Sequence, residues 1–320
     1  MGKEVLEFDI LILGGGPAGL SAGIYAARGA LKTAIIDTSM FGGQPSNYLE
    51  LENYPGFSLI GGYDLMEKFE EHVDKFGVEK FPMEEIQYVD LAGEIKTIET
   101  IERIFKAKAV IIATGAQPKK LGVGGEKEFL SRGVSYCAVC DGAFYKDKVV
   151  AVVGGGNAAV EEACYLTKFA TKVYLIHRRD ELRADKIVQE RAFQNEKLEF
   201  IFDTVVTQIN GNDLVSNILI KNVKTDKIST LEVDGIFPYI GFTPNSETCS
   251  SMLETDNAGF IKTDENMRTS QSGVWAIGDV RTTPLRQVIT AAADGAIAAC
   301  DAVKFIQNTE TKITNLAKNK

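Results

Sequence analysis

A run of apolar residues over 8–13, closing on Ile10-Leu11-Ile12-Leu13, stops at a glycine cluster, after which Leu20, Ile24 and Ala27 recur at helical spacing. The pattern predicts a buried parallel strand, a tight loop and a helix. A second strand, Ala34-Ile35-Ile36, ends in Asp37. The same order returns later in the chain: Val149-Val150-Ala151-Val152-Val153, a glycine cluster, a helix expected over 158–168 and a strand over 172–176. After each copy come β-rich alternation, over 86–105 and then 217–233, and a buried strand leading to a G-x-x-P turn. Those turns are Gly115-Ala116-Gln117-Pro118 and Gly241-Phe242-Thr243-Pro244.

The duplication predicts an α/β protein of two Rossmann-like nucleotide-binding domains, each a three-layer sandwich with an inserted β-meander. Residues 273–279 read as one more strand, ending in Gly278-Asp279, and 287–303 as a helix. This tail has no glycine-rich loop of its own, so it is expected to return to the first domain and make it discontinuous, 1–117 with 245–320. The second domain is then 118–244. Leu65, Phe69, Val73 and Phe76 mark one face of a helix that stops at Gly77, with His72 on its exposed flank, and the last dozen residues read as a frayed end.

The two loops carry candidate chemistry. Gly14, Gly16 and Gly19, with Pro17 and Ala18 between them, form G-x-G-x-x-G, and Asp37 follows 23 residues after Gly14. Between two strands this is a dinucleotide fingerprint: the glycines admit a pyrophosphate to the helix N-terminus and the acid accepts from ribose hydroxyls. The second loop, Gly154, Gly156 and Ala159 with Asn157 and Ala158, reads G-x-G-x-x-A. At the matching offset it ends in His177-Arg178-Arg179, with Arg183 beyond. Arginines in place of an acid supply forked donors for a 2′-phosphate, so this copy is expected to prefer NADP(H).

Composition removes several function classes. With 35 Lys+Arg against 44 Asp+Glu, net −9, the chain offers no general positive field for nucleic acid. No apolar run approaches the roughly 18 residues that span a bilayer, so no membrane span is expected. The start reads as neither a signal peptide nor a myristoylation motif, since Leu6 stands where the latter needs Ser or Thr. Five cysteines in 320 residues do not make a secreted disulfide framework, which favours a cytoplasmic protein. Cys137 and Cys140 form the sole C-x-x-C, a redox dithiol or half a metal site. Neither His72 nor His177 has metal-like spacing to a cysteine, so no metal is expected. Asp141, next to Cys140, is the candidate proton donor, whereas Cys164 and Cys300 are expected to pack as small apolar residues and Cys249 has no assigned role.

Gly14 to Gly19, Gly42-Gly43-Gln44, Glu52-Asn53-Tyr54-Pro55-Gly56, Ala113-Thr114-Gly115, Cys137 to Asp141, Gly154 to Ala159, His177 to Arg183, and Gly278-Asp279 with Arg286-Gln287 occur in the order seen in low-molecular-weight thioredoxin reductases. The resemblance covers nearly the whole chain. It implies an FAD flavoprotein, a homodimer, that uses NADPH to reduce the disulfide of thioredoxin or a related small dithiol protein. Gln44, Asn53, Thr114, Gly115, Gly278, Asp279, Arg286, Gln287 and Val288 are then FAD contacts. Cys140 is the flavin-facing sulfur and Cys137 attacks the partner. Tyr136 and Val139 depart from the commonest residues around the dithiol, which bears on partner preference. Rival readings are a flavoprotein reductase of a glutaredoxin-like or peroxiredoxin-linked disulfide, and a nucleotide-sensing regulator that binds without catalysis.

Overall fold

In the computed structural model, which describes residues 3–48 and 50–318, the strand Glu4–Leu13 lies inside a seven-stranded sheet. Its side chains alternate between two faces, as a pleat requires. Ile10 and Ile12 pack with Leu20 and Ile24 of the helix Pro17–Arg28 and with Ala298, Ala302 and Ile306 of the helix Val288–Lys318. Leu11 and Leu13 instead meet Val89, Ile98, Phe105, Leu253 and Ile261. The result is three layers: helices, sheet, and a covering layer that includes the meander. The sheet runs Glu79–Phe81, Thr33–Ile36, Glu4–Leu13, Arg103–Ile112, Lys96–Thr100, Ile86–Asp90. The first four are parallel, and Val274–Ala276 adds a fifth parallel strand on the far end of Arg103–Ile112.

Met1–Gln117 and Thr243–Lys320 form one compact unit and Pro118–Phe242 another. The second unit repeats the plan. Its parallel sheet runs Leu198–Ile201, Lys172–Ile176, Val149–Gly154, Gly235–Tyr239. Val150 and Val152 face Ala159, Ala163 and Val188 of two helices, while Ala151 and Val153 face Val206, Ile209, Ile218 and Val233 of an antiparallel layer. The chain crosses at Ala116–Pro118 and returns at Phe242–Pro244, two short strands that pair with each other.

Four details differ from the pattern-based expectation. The first strand begins at Glu4, because the backbone of residues 4–7 pairs with Arg103–Lys106 and Arg103 Nε donates to Glu4 at 3.0 Å. The second meander starts earlier, with Thr204–Gly211, where β-branched residues favour a strand. The last helix runs on to Lys318 rather than fraying after 308, since no Gly or Pro occurs between 309 and 318 and Ile306 extends its buried face. Cys300 is exposed, turned away from the buried Ala298, Ala299 and Ala302, so it does not pack as a small apolar residue.

One buried polar cluster fixes this last helix to the sheet. Asp301 accepts from Trp275 Nε1 at 3.0 Å and from Arg268 Nε and Nη2 at 2.6 and 2.8 Å. Burial works to raise the Asp301 pKa, but these donors and the neighbouring positive charges outweigh it and hold the carboxyl below its ordinary value.

Candidate functional site

In the first unit, parallel strands bring sequence-distant residues to one edge. Gly14 follows Leu13, Asp37 follows Ile36, Thr114 and Gly115 follow Ile112, and Gly278 and Asp279 follow Ala276, all at C-terminal strand ends where open α/β sheets bind ligands. Gly14 has φ +112°, and a Cβ there would come 2.2 Å from the Ala113 carbonyl oxygen, so only glycine fits. Gly16 caps the helix Pro17–Arg28 without a side-chain hydrogen bond, which leaves the first-turn amides to a ligand. Asp37 accepts from Gly15 N–H at 2.6 Å and from the Ser39 N–H and hydroxyl at 2.8 and 2.9 Å. The loop thus holds the carboxylate in place while it keeps acceptor capacity for ribose hydroxyls.

The remaining predicted contacts of this group lie in the same unit. Asn53 Nδ2 donates to Gln287 Oε1 at 3.1 Å, joining residues 234 apart, and Val288 opens the last helix. Gln44 starts a short helical turn. The Thr114 hydroxyl donates to Asn245 O at 2.6 Å, and Asn245 Nδ2 returns a bond to Thr114 O. Burial pushes the Asp279 pKa up, partly offset by Arg286. The Arg286 guanidinium lies 4.2 Å from the Phe260 ring centroid, and its buried Nε has no hydrogen-bond partner. A loop stripped of side chains, a fixed acid and an orphaned buried donor fit FAD, an anionic ligand with many acceptors.

The second unit holds the other loop and the dithiol. Gly154 has φ +156°, and a Cβ there would come 2.4 Å from Tyr239 O. Gly155 O accepts from Arg183 N–H and Ala184 N–H at 2.6 and 3.1 Å, which folds the arginine segment back onto the loop. Asn157 exchanges two hydrogen bonds with Asp185, at 2.7 and 2.6 Å. Arg178, Arg179 and Arg183 are exposed, and among the described residues none forms a salt bridge. His177 sits apart from those side chains: it is buried, with its ring beneath Gly155. Burial and the three arginines lower its pKa, so it is neutral, and its Nε2 lacks a partner. Three exposed guanidiniums without a salt bridge, on the segment that follows the strand Lys172–Ile176 and folds back onto a bare loop, fit the 2′-phosphate of NADP(H).

Glu162, in the helix Asn157–Leu166, is buried with an unpartnered Oε2, and burial followed by the Glu161 charge raises its pKa from 4.5 to about 7. Between those two values the folded chain binds a proton that the unfolded chain releases, so stability falls as pH rises through that window. The expected loss is on the order of 3 kcal/mol. Urea unfolding at pH 5 and pH 8 should show Glu162→Gln gaining on the unsubstituted protein at pH 8 only. Parallel behaviour at both values would contradict it.

Cys137 and Cys140 form a disulfide with Cα atoms 5.3 Å apart. Cys140 N–H donates to Cys137 Sγ at 3.1 Å, and the Ser135 hydroxyl accepts from Cys137 N–H at 3.1 Å. The Tyr239 hydroxyl accepts from Ala138 N–H at 2.9 Å. The Tyr136 hydroxyl donates to Glu126 Oε1 at 2.6 Å, a carboxylate that also takes Leu121 and Gly122 N–H. Asp141, half-buried, donates its own N–H to Cys137 O at 3.2 Å. An amide aimed at Cys137 Sγ favours thiolate at that sulfur once the pair is reduced.

The family model for pyridine nucleotide-disulphide oxidoreductases matches residues 8–295. A thioredoxin reductase of Peptoclostridium litorale is 48% identical over 307 residues, covering 94% of this chain and 97% of that one. The chain belongs to the thioredoxin reductases of this family. A thioredoxin reductase of Bacillus subtilis strain 168 is 44% identical over 315 residues, covering 98% and 99%. The crystal structure of Lactococcus lactis thioredoxin reductase in its FR conformation matches with a TM-score of 0.92 at 45% identity, over 94% of this chain and 99% of that one.

Several residues that shape this thioredoxin reductase site escape motif reading. Asp294 accepts from Gly278 N–H at 3.0 Å and from Arg281 at 2.8 and 3.2 Å. The available signal was an acid inside the apolar pattern of the last helix. Asp185, Ser135, Glu126 and Tyr239 belong to no fingerprint and are found only through their partners.

Proposed function

We propose that the chain reduces the disulfide of thioredoxin with NADPH: NADPH, a proton and the disulfide give NADP⁺ and the dithiol. The observation that supports this most is one unit holding both a redox disulfide and a glycine loop fringed by three exposed arginines, in a chain whose other unit carries an acid-terminated loop. In this reading 1–117 and 245–320 bind FAD through Gly14 to Gly19, Asp37 and the residues gathered with them. Residues 118–244 bind NADPH through Gly154 to Ala159 and Arg178, Arg179 and Arg183. His177 supports the loop from below. Held by those residues of the first unit, FAD would supply the two-electron chemistry between NADPH and the Cys137–Cys140 disulfide.

The chain's own residues then do the thiol chemistry. Cys137, its thiolate stabilised by Cys140 N–H, attacks a partner sulfur and forms a mixed disulfide. The other partner sulfur leaves as a thiolate and takes a proton. Cys140 attacks Cys137 Sγ, which restores the internal disulfide and frees the second partner thiol. Asp141 holds and returns the proton that Cys140 loses and regains. A homodimer and a cytoplasmic location complete the proposal. Among the described residues no helix is long and apolar enough to cross a membrane.

A protein partner is favoured over a small disulfide by Phe144, 74% exposed four residues past Cys140. Steady-state assays with the host's thioredoxin and with a small aromatic disulfide test this. Phe144→Ala should raise KM for thioredoxin by about tenfold, the scale of one apolar anchor, and leave the small-disulfide rate unchanged. Equal effects on both substrates would favour a site without a protein-docking face, and no NADPH oxidation with any disulfide would favour a nucleotide-sensing regulator.

A further inference from the structure

Tyr239 touches both halves of the second unit's chemistry. It ends the strand Gly235–Tyr239 in register with Gly154, the first fingerprint glycine. The backbones there are in direct contact, since a Cβ on Gly154 would lie 2.4 Å from Tyr239 O. Its side chain reaches the dithiol segment, where the hydroxyl accepts from Ala138 N–H, the amide directly after Cys137. Ala138 is fully buried and packs in one cluster with Ala159 and Val160 of the nucleotide helix, with Tyr239 against it. The other anchors of this segment avoid the loop: Ser135 N–H bonds to Ile236 O, and Tyr136 bonds to Glu126.

We propose that Tyr239 is a positioning residue that couples nucleotide occupancy of the Gly154–Gly156 loop to the geometry, and so the reactivity, of Cys137. A pyrophosphate seated on the loop bears on the strand end at Tyr239, and the phenol carries that displacement to the turn whose Cys140 amide points at Cys137 Sγ. To the extent that the nucleotide shifts the dithiol–disulfide equilibrium, linkage requires that the redox state of the dithiol alter nucleotide affinity by the same factor as that equilibrium shift. The inference rests on reading the second loop as the NADP(H) site.

The test uses FAD-loaded protein with its dithiol reduced and desalted under argon, and adenosine 2′,5′-bisphosphate as a probe that fills the loop without transferring electrons. Calorimetry measures binding, and mass mapping follows iodoacetamide alkylation of Cys137 between pH 6 and 9. Saturating probe should change the alkylation rate by about fivefold or more in the unsubstituted protein, the low end of ordinary couplings. Tyr239→Phe, which keeps the ring, should still bind the probe but lose the response. Tyr136→Phe should retain it.

A probe that binds the unsubstituted protein without altering alkylation overturns the coupling, as does a full response in Tyr239→Phe or a response lost equally in Tyr136→Phe. Failure of the unsubstituted protein to bind the probe at all overturns the NADP(H) reading as well, so the two failures are distinguishable.

Discussion

Cys140→Ser is expected to abolish turnover and to leave Cys137 joined to thioredoxin in a mixed disulfide that accumulates. Attack needs only the Cys137 thiolate, and the Cys140 backbone amide that stabilises it survives the substitution. Resolution needs a second thiol, which serine does not supply. Non-reducing electrophoresis and mass spectrometry would read the adduct and name the partner from a mixture. Cys137→Ser should be equally inactive in turnover but trap little. Solvent exposure ranks the two residues the other way, Cys140 exposed and Cys137 half-buried, so the amide bond and exposure give opposite expectations. Efficient trapping by Cys137→Ser alone would reverse the roles.

Exchange of Arg178 and Arg179 for uncharged residues should erase most of the preference for NADPH over NADH. A charge-assisted bond to phosphate contributes about 1.5 to 3 kcal/mol, and exposure reduces that figure, so two such bonds imply at least roughly tenfold selectivity. The readout is kcat/KM for each nucleotide. The loss should fall on the NADPH value and leave NADH nearly unchanged, since the guanidiniums meet only the 2′-phosphate. Equal efficiency with both nucleotides in the unsubstituted protein would refute the assignment. His177, neutral and buried under Gly155, should instead affect both nucleotides alike.

The three-layer duplication was legible because its signals are local. Ile10-Leu11-Ile12-Leu13 and Val150-Ala151-Val152-Val153 show double-faced burial, and each breaks at a glycine whose φ and near neighbours admit no side chain. The placement of Asn53 beside Gln287 could be expected only by family resemblance, since residues 234 apart meet through the sheet. The burial of His177 carries no sequence signal for a related reason: a histidine beside three arginines looks like part of an exposed basic turn, yet its burial comes from the loop folded above it. Asp185 and Tyr239 carry no motif because each acts on a backbone amide or a single amide side chain, a demand many residue types could meet, and Asp294 carries none because its partners, Gly278 N–H and Arg281, are brought to it only by the fold.

Trp275 is the chain's single tryptophan, and Asp301 pins its indole inside the first unit. Its fluorescence is therefore a local thermometer of one half of the molecule. Emission will move toward the red when that half opens and will stay silent while the other melts, whereas far-ultraviolet circular dichroism averages both. If the two probes trace different urea curves, the gap between their midpoints measures how far two paired strands carry cooperativity across a double crossing.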